Sequence, residues 1–250
     1  MNDLTGKRAL VTGSSRGIGL AIAQALSHAG CLVAVNGRQS REVERIVATL
    51  PGAVAVVGDV CHPEEAQRIV SEVERQLGGL DILVCNVGSG KSVPPGAETY
   101  PEWQRVFALN LWSTTNMVEA GRKALAANRG AVVCISSICG SEVIPGAPVT
   151  YSVAKAALNA YVRGVARPFA ADGIRINALA VGNVMFPGST WEDKWRVNPA
   201  AVQEMLNKSV PMARLGRVEE VAEVVLFLAS ERASFVTGAT WTVDGGQLHS

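Results

Sequence analysis

The chain has 250 residues, 48% of them hydrophobic, and a formal net charge of +1. That composition excludes a disordered chain, and the near-neutral charge gives no electrostatic case for nucleic acid or an acidic membrane surface as a partner. The length suits one α/β domain over residues 1–250, large enough to bury a core.

In chain order, short β-branched runs alternate with longer helical patterns. Strands are expected near 7–12, 31–36, 53–57, 80–85, 130–136, 174–179 and 239–243, and helices near 17–29, 40–50, 63–77, 101–127, 150–170 and 218–229. A strand as apolar as Ala131-Val132-Val133-Cys134-Ile135 needs cover on both faces. That predicts a parallel, doubly wound sheet of about seven strands with helices on either side. Pro63, followed by Glu64 and Glu65, marks a helix start, where a missing N–H is harmless and carboxylates meet the positive dipole end. Residues 182–216, with Pro187, Gly188, Pro199, Pro211 and Gly216, are the least regular. They read as a lid inserted over the carboxyl ends of the strands, where such folds bind ligands.

The opening Met1-Asn2-Asp3-Leu4-Thr5-Gly6 has no signal-peptide h-region and no apolar run is long enough to span a bilayer, so a cytoplasmic protein is expected. The five cysteines (Cys31, Cys61, Cys85, Cys134, Cys139) include no Cys-x-x-Cys pair and read as buried free thiols in a reducing compartment. The histidines His28, His62 and His249 lack metal-ligand spacing, and no metal is expected.

Leu10-Val11-Thr12-Gly13-Ser14-Ser15-Arg16-Gly17-Ile18-Gly19 joins the first strand to the first helix. Glycines there permit a tight turn and a close approach of pyrophosphate, and the helix N-terminus supplies N–H donors. The spacing is Gly-x-x-x-Gly-x-Gly, not the commoner Gly-x-Gly-x-x-Gly. A carboxylate ending strand two would hold the ribose 2′-hydroxyl of NAD, but Val35-Asn36-Gly37-Arg38 has none. Arg16 and Arg38 are placed to clamp a 2′-phosphate, so NADP(H) is preferred, with NAD(H) possible; the plain alternative is two solvated arginines. Asp59 and Val60 after strand three, and Asn86 and Gly88 after strand four, fall at the same edge and suit adenine and ribose contacts.

Tyr151-Ser152-Val153-Ala154-Lys155 opens an apolar helix and puts a phenol and an ammonium one turn apart on one face. At about 5 Å and an effective dielectric of about 20 the ammonium favours phenolate by about 3 kcal/mol, roughly two pKa units. That predicts a proton donor working near pH 7.

Thr12-Gly13-x-x-x-Gly17-x-Gly19, Asn86 with Gly88, Asn110, Ser137 and Tyr151-x-x-x-Lys155 together resemble the classical short-chain dehydrogenase/reductase family, over the whole chain to Thr242-Val243-Asp244-Gly245-Gly246. The chain also resembles that family's 3-oxoacyl-carrier-protein reductase branch. The resemblance implies a Rossmann-type domain that interconverts a carbonyl and a secondary alcohol by hydride transfer. Tyr151 would be its proton donor or acceptor. It implies that Ser137, not Ser136, holds the substrate oxygen, that Lys155 lowers the Tyr151 pKa and bonds the nicotinamide ribose, and that Asn110 positions a water in a proton relay. It further implies that Gly13, Ser15, Arg16, Gly17, Ile18, Gly19, Asn36, Arg38, Asp59, Val60, Asn86, Gly88, Tyr151, Lys155 and Val184 line the cofactor, and that the protein is a homotetramer or homodimer.

Some residues depart from the family pattern. Val181-Gly182 stands where relatives carry Pro-Gly, and Phe186 replaces a threonine that would give a polar contact at the nicotinamide end; Val184 still offers its backbone there. Pro168 falls late in the catalytic helix, where it removes a hydrogen bond. Two rival readings stay open. Cys85-Asn86-Val87-Gly88-Ser89-Gly90-Lys91-Ser92 nearly spells a P-loop, with Cys85 in the place of its first glycine. A non-catalytic dinucleotide sensor would keep the glycine loop alone. The substrate, a small carbonyl or alcohol, is open between a 3-oxoacyl thioester and a sugar or other polar ketone. Lys91, on a glycine-flanked loop mobile enough to close on a ligand, would favour an anionic one, or else is a solvated lysine. Trp191 and Trp195 either stack on sugar rings or pack the lid itself.

Overall fold

The computed structural model describes residues 4–249. Seven strands, β1 (Arg8–Val11), β2 (Leu32–Gly37), β3 (Val54–Val57), β4 (Ile82–Cys85), β5 (Ala131–Ser137), β6 (Arg175–Val181) and β7 (Thr240–Val243), form one sheet in the order β3-β2-β1-β4-β5-β6-β7. All six pairings are parallel. The strand order reverses between β1 and β4, the crevice where open α/β sheets place ligands.

Alternation along the strands sorts side chains onto two cores. Ala9, Val11, Ile82, Val84, Val133 and Ile135 pack with α1 (Gly17–His28), α2 (Ser40–Val47) and, near the far edge, α9 (Val218–Ala229). Leu10, Leu83, Cys85, Val132 and Cys134 face the other way, against α3 (Pro63–Leu77), α5 (Ser113–Ala127) and α6 (Val149–Ala171). The near-continuous apolar strands are thus covered twice, as their composition required.

Three local expectations are corrected. The helix expected over 101–127 is α4 (Tyr100–Phe107) and α5 joined by a π-helical turn, Ala108–Trp112. The one-residue surplus of a π turn rotates the following side chains, and such turns often mark functional positions; Asn110 lies in this one. The helix expected over 40–50 stops at Val47, after which Thr49 Oγ1 donates to Ile46 O at 2.7 Å. The lid is more regular than its prolines suggested. It folds into α7 (Thr190–Val197), capped by Ser189 accepting from Glu192 N, and α8 (Pro199–Ser209), capped by Asn198 accepting from Ala201 N. Pro168 lies inside α6, which runs on to Ala171, and nothing in the structure gives that proline a function.

Residues 86–99 contain no helix, so the P-loop reading falls, because its lysine must open one. Among the described residues, no helix is long and apolar enough to cross a membrane. All five cysteines are free, with Cys61 and Cys139 only partly buried.

Candidate active site

The carboxyl ends of β1, β4, β5 and β6 meet the starts of α1 and α6, and the predicted catalytic residues and the glycine turn gather there. Ser136 and Ser137 end β5 with opposite directions. Ser136 is buried and donates to Asn159 Oδ1 at 2.6 Å, while Asn159 Nδ2 donates to Gly140 O at 3.2 Å. Ser137 Oγ accepts from Cys139 N at 3.2 Å and lies within hydrogen-bonding reach of the Tyr151 phenol. Ser136 therefore ties β5 to α6, and Ser137 is the hydroxyl that meets the tyrosine. Gly140 makes the approach possible: a Cβ there would lie 2.6 Å from the Lys155 carbonyl carbon.

Sequence reasoning missed Asn159. Its signal was present, since Tyr151, Lys155 and Asn159 repeat at four-residue steps along one face of an otherwise apolar helix.

Lys155 is buried, with Nζ donating to Ile135 O at 2.9 Å and lying 5.9 Å from the centre of the Tyr151 ring. Burial pushes its ammonium down to about 8. Burial also pushes the Tyr151 phenol up to about 12, against the downward pull of its bond to Ser137. This corrects the expectation that Lys155 brings the phenol toward neutrality. The two share a helical face, but the ammonium is turned to a backbone carbonyl, and loss of solvent around the phenol sets the direction of its shift.

Asn110 is fully buried. Its Oδ1 accepts from Ser89 N at 3.0 Å, and its Nδ2 donates to Ser89 O and to Val106 O. A Cβ on Gly88 would lie 2.8 Å from Asn110 Oδ1 and 3.2 Å from Lys155 Nζ, so both flank Gly88. Asn110 thus fixes the loop after β4. That loop is further tied by Ser92 Oγ to Glu102 and Thr150 and by Arg105 to the Lys91 carbonyl, and it is not the freely closing loop its glycines suggested. The Lys91 ammonium pairs with Asp193 of α7 at 3.7 Å, both ends exposed. Trp191 packs on Val202, Leu206 and Val210 beneath the Lys194 ammonium, which favours lid packing over sugar stacking.

On the β1 side, Gly13, Ser15, Arg16, Gly17, Ile18 and Gly19 form the turn into α1. Arg16 caps that helix without a side-chain hydrogen bond, so no capping oxygen competes for the first-turn N–H groups, an arrangement that suits a phosphate. Asn86 Nδ2 donates to the Thr12 and Gly13 carbonyls, locking β4 to the turn. Asn36 is buried and spends its amide on Val56 O, Gly58 O and Gly13 N, which makes it a brace for the loop. Arg38 is exposed, 3.7 Å from Asp59 of the β3 edge, and Arg16 is exposed on the turn. Val60, next to Asp59, is buried. Val184 bridges Gly216 through bonds made by Asn183 and Met185, leaving its own peptide groups outside that bridge.

Residues 13–247 match the family described as enoyl-(acyl carrier protein) reductase. The chain is 36% identical to dehydrogenase/reductase SDR family member 4 of Bos taurus, over 99% of this chain and 89% of the relative. The chain belongs to the short-chain dehydrogenase/reductase family. As a short-chain dehydrogenase/reductase it is an oxidoreductase acting on CH–OH or C=O groups. It is also 34% identical to the 3-oxoacyl-(acyl-carrier-protein) reductase FabG of Staphylococcus aureus, over 96% of this chain and 97% of the relative. L-sorbose reductase from Gluconobacter frateurii, solved with NADPH and L-sorbose, superposes with a TM-score of 0.93 at 30% identity, covering 100% of both chains.

Proposed function

We propose that this short-chain dehydrogenase/reductase is an NADP(H)-dependent reductase of a small carbonyl, reversible toward the secondary alcohol. The observation that carries the reading is the meeting of Ser137 and Tyr151 beside buried Lys155 at the crevice of the sheet. The uncapped start of α1, with Arg16 and Arg38 at the rim, fits the phosphates of the dinucleotide. When bound, the nicotinamide supplies the hydride in reduction and accepts it in oxidation.

Ser137 Oγ holds the substrate oxygen beside the phenol, and Tyr151 gives that oxygen its proton. A phenol held near 12 stays protonated at neutral pH, the form reduction requires, and still protonates a far more basic alkoxide. Lys155 contributes positive charge next to the phenolate left behind, and Asn110 holds the loop after β4 against it. Tyr151 and Lys155 also face the nicotinamide ribose. Gly13, Ser15, Gly17, Ile18, Gly19, Asp59, Val60, Asn86, Gly88 and Val184 complete the cofactor's wall, with Asn36 supporting from beneath.

A 3-oxoacyl thioester is the first candidate substrate, supported by the likeness to the Staphylococcus aureus reductase. A ketose or other polar ketone is the second, supported by the likeness to L-sorbose reductase. The five unpaired cysteines fit the cytoplasm. A homotetramer or homodimer would cover Val149 and Val153 of α6, Trp112 beside α5 and Trp241 of β7, all exposed in the single chain. The test is NADPH oxidation with panels of 3-oxoacyl thioesters and of ketoses, alongside calorimetric titration with NADPH and NADH. Turnover on one panel and at least about tenfold tighter NADPH are expected, since one charged phosphate contact is worth about 1.5–3 kcal/mol. Equal affinities would contradict the NADP(H) preference.

A further inference from the structure

Phe186 stands in a place no part of the proposed reaction uses. It follows β6 and the Val184 bridge, and its ring lies directly on the first residue of α1. A Cβ added to Gly17 would fall 2.6 Å from Phe186 Cε2 and 2.8 Å from Cδ2, so ring and helix start are in contact. Gly17 also has φ +57°, in the left-handed region. Two constraints, the turn and the ring, therefore hold that position to glycine.

The backbone of Phe186 is built into the start of the lid. Its N–H donates to Ser189 Oγ at 3.2 Å and its carbonyl accepts from Ser189 N at 2.9 Å. Ser189 Oγ in turn caps α7 by accepting from Glu192 N at 3.0 Å. Between them lie Pro187 and Gly188, the latter at φ +79° and close to the Arg16 guanidinium. At its other side α7 reaches the loop after β4 through Asp193 and Lys91. The lid helix is thus strapped at two points, one an apolar ring seated on the glycine turn.

A ring seated on Gly17 stands beside the N–H groups that open α1, where a diphosphate would bind. Phosphate oxygens need the first-turn N–H groups of α1, and a charged group buried against an aromatic face without hydrogen bonds is strongly disfavoured. Resting on the proposed NADP(H) dependence, we infer that Phe186 is a positioning residue that gates the phosphate cradle. Its ring covers the start of α1 and must leave Gly17 before the dinucleotide seats. Because Phe186 and Ser189 form one turn, the movement is passed to α7, so cofactor entry and lid position are coupled. A cover of this kind lowers apparent affinity by the fraction of molecules held closed and limits the rate of entry.

The test is stopped-flow NADPH fluorescence on the wild type, Phe186→Ala and Phe186→Leu, with thermal unfolding of each to show that it is folded. In the wild type the observed association rate levels off with rising NADPH, as uncovering becomes limiting. In Phe186→Ala it rises linearly and exceeds the wild-type plateau by at least about fivefold, with equal or tighter Kd, the direction expected when a covering step is removed. Phe186→Leu, which keeps apolar bulk on Gly17, lies between the two and carries the test should the alanine variant unfold. A linear wild-type rate equal to that of the variants overturns the gate, as does weaker NADPH binding in both variants, which would make the ring a wall of the bound site. Either result leaves the NADP(H) reading standing. Failure of the wild type to bind NADPH or NADH removes that reading and the gate together.

Discussion

The edge formed by β5 and α6 and the lid formed by α7 and α8 face the same crevice but are held by different forces. Ser136, Asn159, Gly140 and Lys155 tie β5 to α6 through buried side chains and backbone carbonyls, in contact with one of the two large cores. The lid rests on Val202, Leu206 and Val210, with exposed ion pairs such as Lys91–Asp193 at its margin. A fully buried leucine is worth about 1.5–3 kcal/mol and an exposed ion pair about 0–1 kcal/mol. On the proposed reading the contrast would separate duties, with groups that must keep one geometry on the sheet and groups that would meet the substrate where displacement is cheap.

The sharpest way to break this comparison is on the rigid side. Lys155→Met should cut kcat by at least about 100-fold, the usual scale for losing an acid–base partner. It should nevertheless raise Tm at pH 7. The Lys155 ammonium is held down to about 8, so its burial penalty is fully present below that pH and is relieved as pH rises from 8 toward the unfolded value of 10.5. The thermal advantage of the variant should therefore shrink above pH 8. A variant that is less stable at every pH would contradict the burial cost. In the wild type, kcat for reduction should be level near neutrality and decline above about pH 8 as the ammonium discharges; a rate rising through pH 9 would count against a charged Lys155.

On the cofactor rim, Arg38→Ala should weaken NADPH by about tenfold, within the range for one charge-assisted contact, and leave NADH unchanged. Titration with both nucleotides reads this, and equal losses for the two would remove the 2′-phosphate assignment. The smallest effect belongs to the lid. Lys91→Ala and Asp193→Asn should each change KM by no more than about fivefold, fading with salt, because their pair is exposed. In the double variant the two changes should not add. A larger, additive loss in Lys91→Ala would mean that the ammonium meets the substrate itself.

The strands and the two-faced core were legible because Val, Ile, Leu and Ala fill both faces of β1, β4 and β5, and only a covered parallel sheet accommodates that. Tyr151, Lys155 and the glycine turn could be picked out from residue types at fixed spacing, whereas Ser137 was singled out from Ser136 only by the family resemblance. What escaped depended on contacts between distant segments. The π turn that aims Asn110 has no local marker in Ala108–Trp112. The Lys91–Asp193 pair joins residues about a hundred apart in sequence. The Tyr151 pKa went the other way because spacing reports the distance to Lys155, whereas burial reports everything else packed around the phenol. The lid helices were readable after all: Ser189 three residues before Glu192, and Asn198 before Pro199, are ordinary helix starts.

The claim that Tyr151 is the proton donor is tested most directly by single-turnover reduction of an accepted carbonyl with NADPH-loaded wild type and Tyr151→Phe. The substitution removes one hydroxyl and leaves the ring, so NADPH affinity should be unchanged while the rate of the chemical step falls by at least about 100-fold. Turnover by Tyr151→Phe within a few-fold of the wild type would contradict the role assigned to Tyr151.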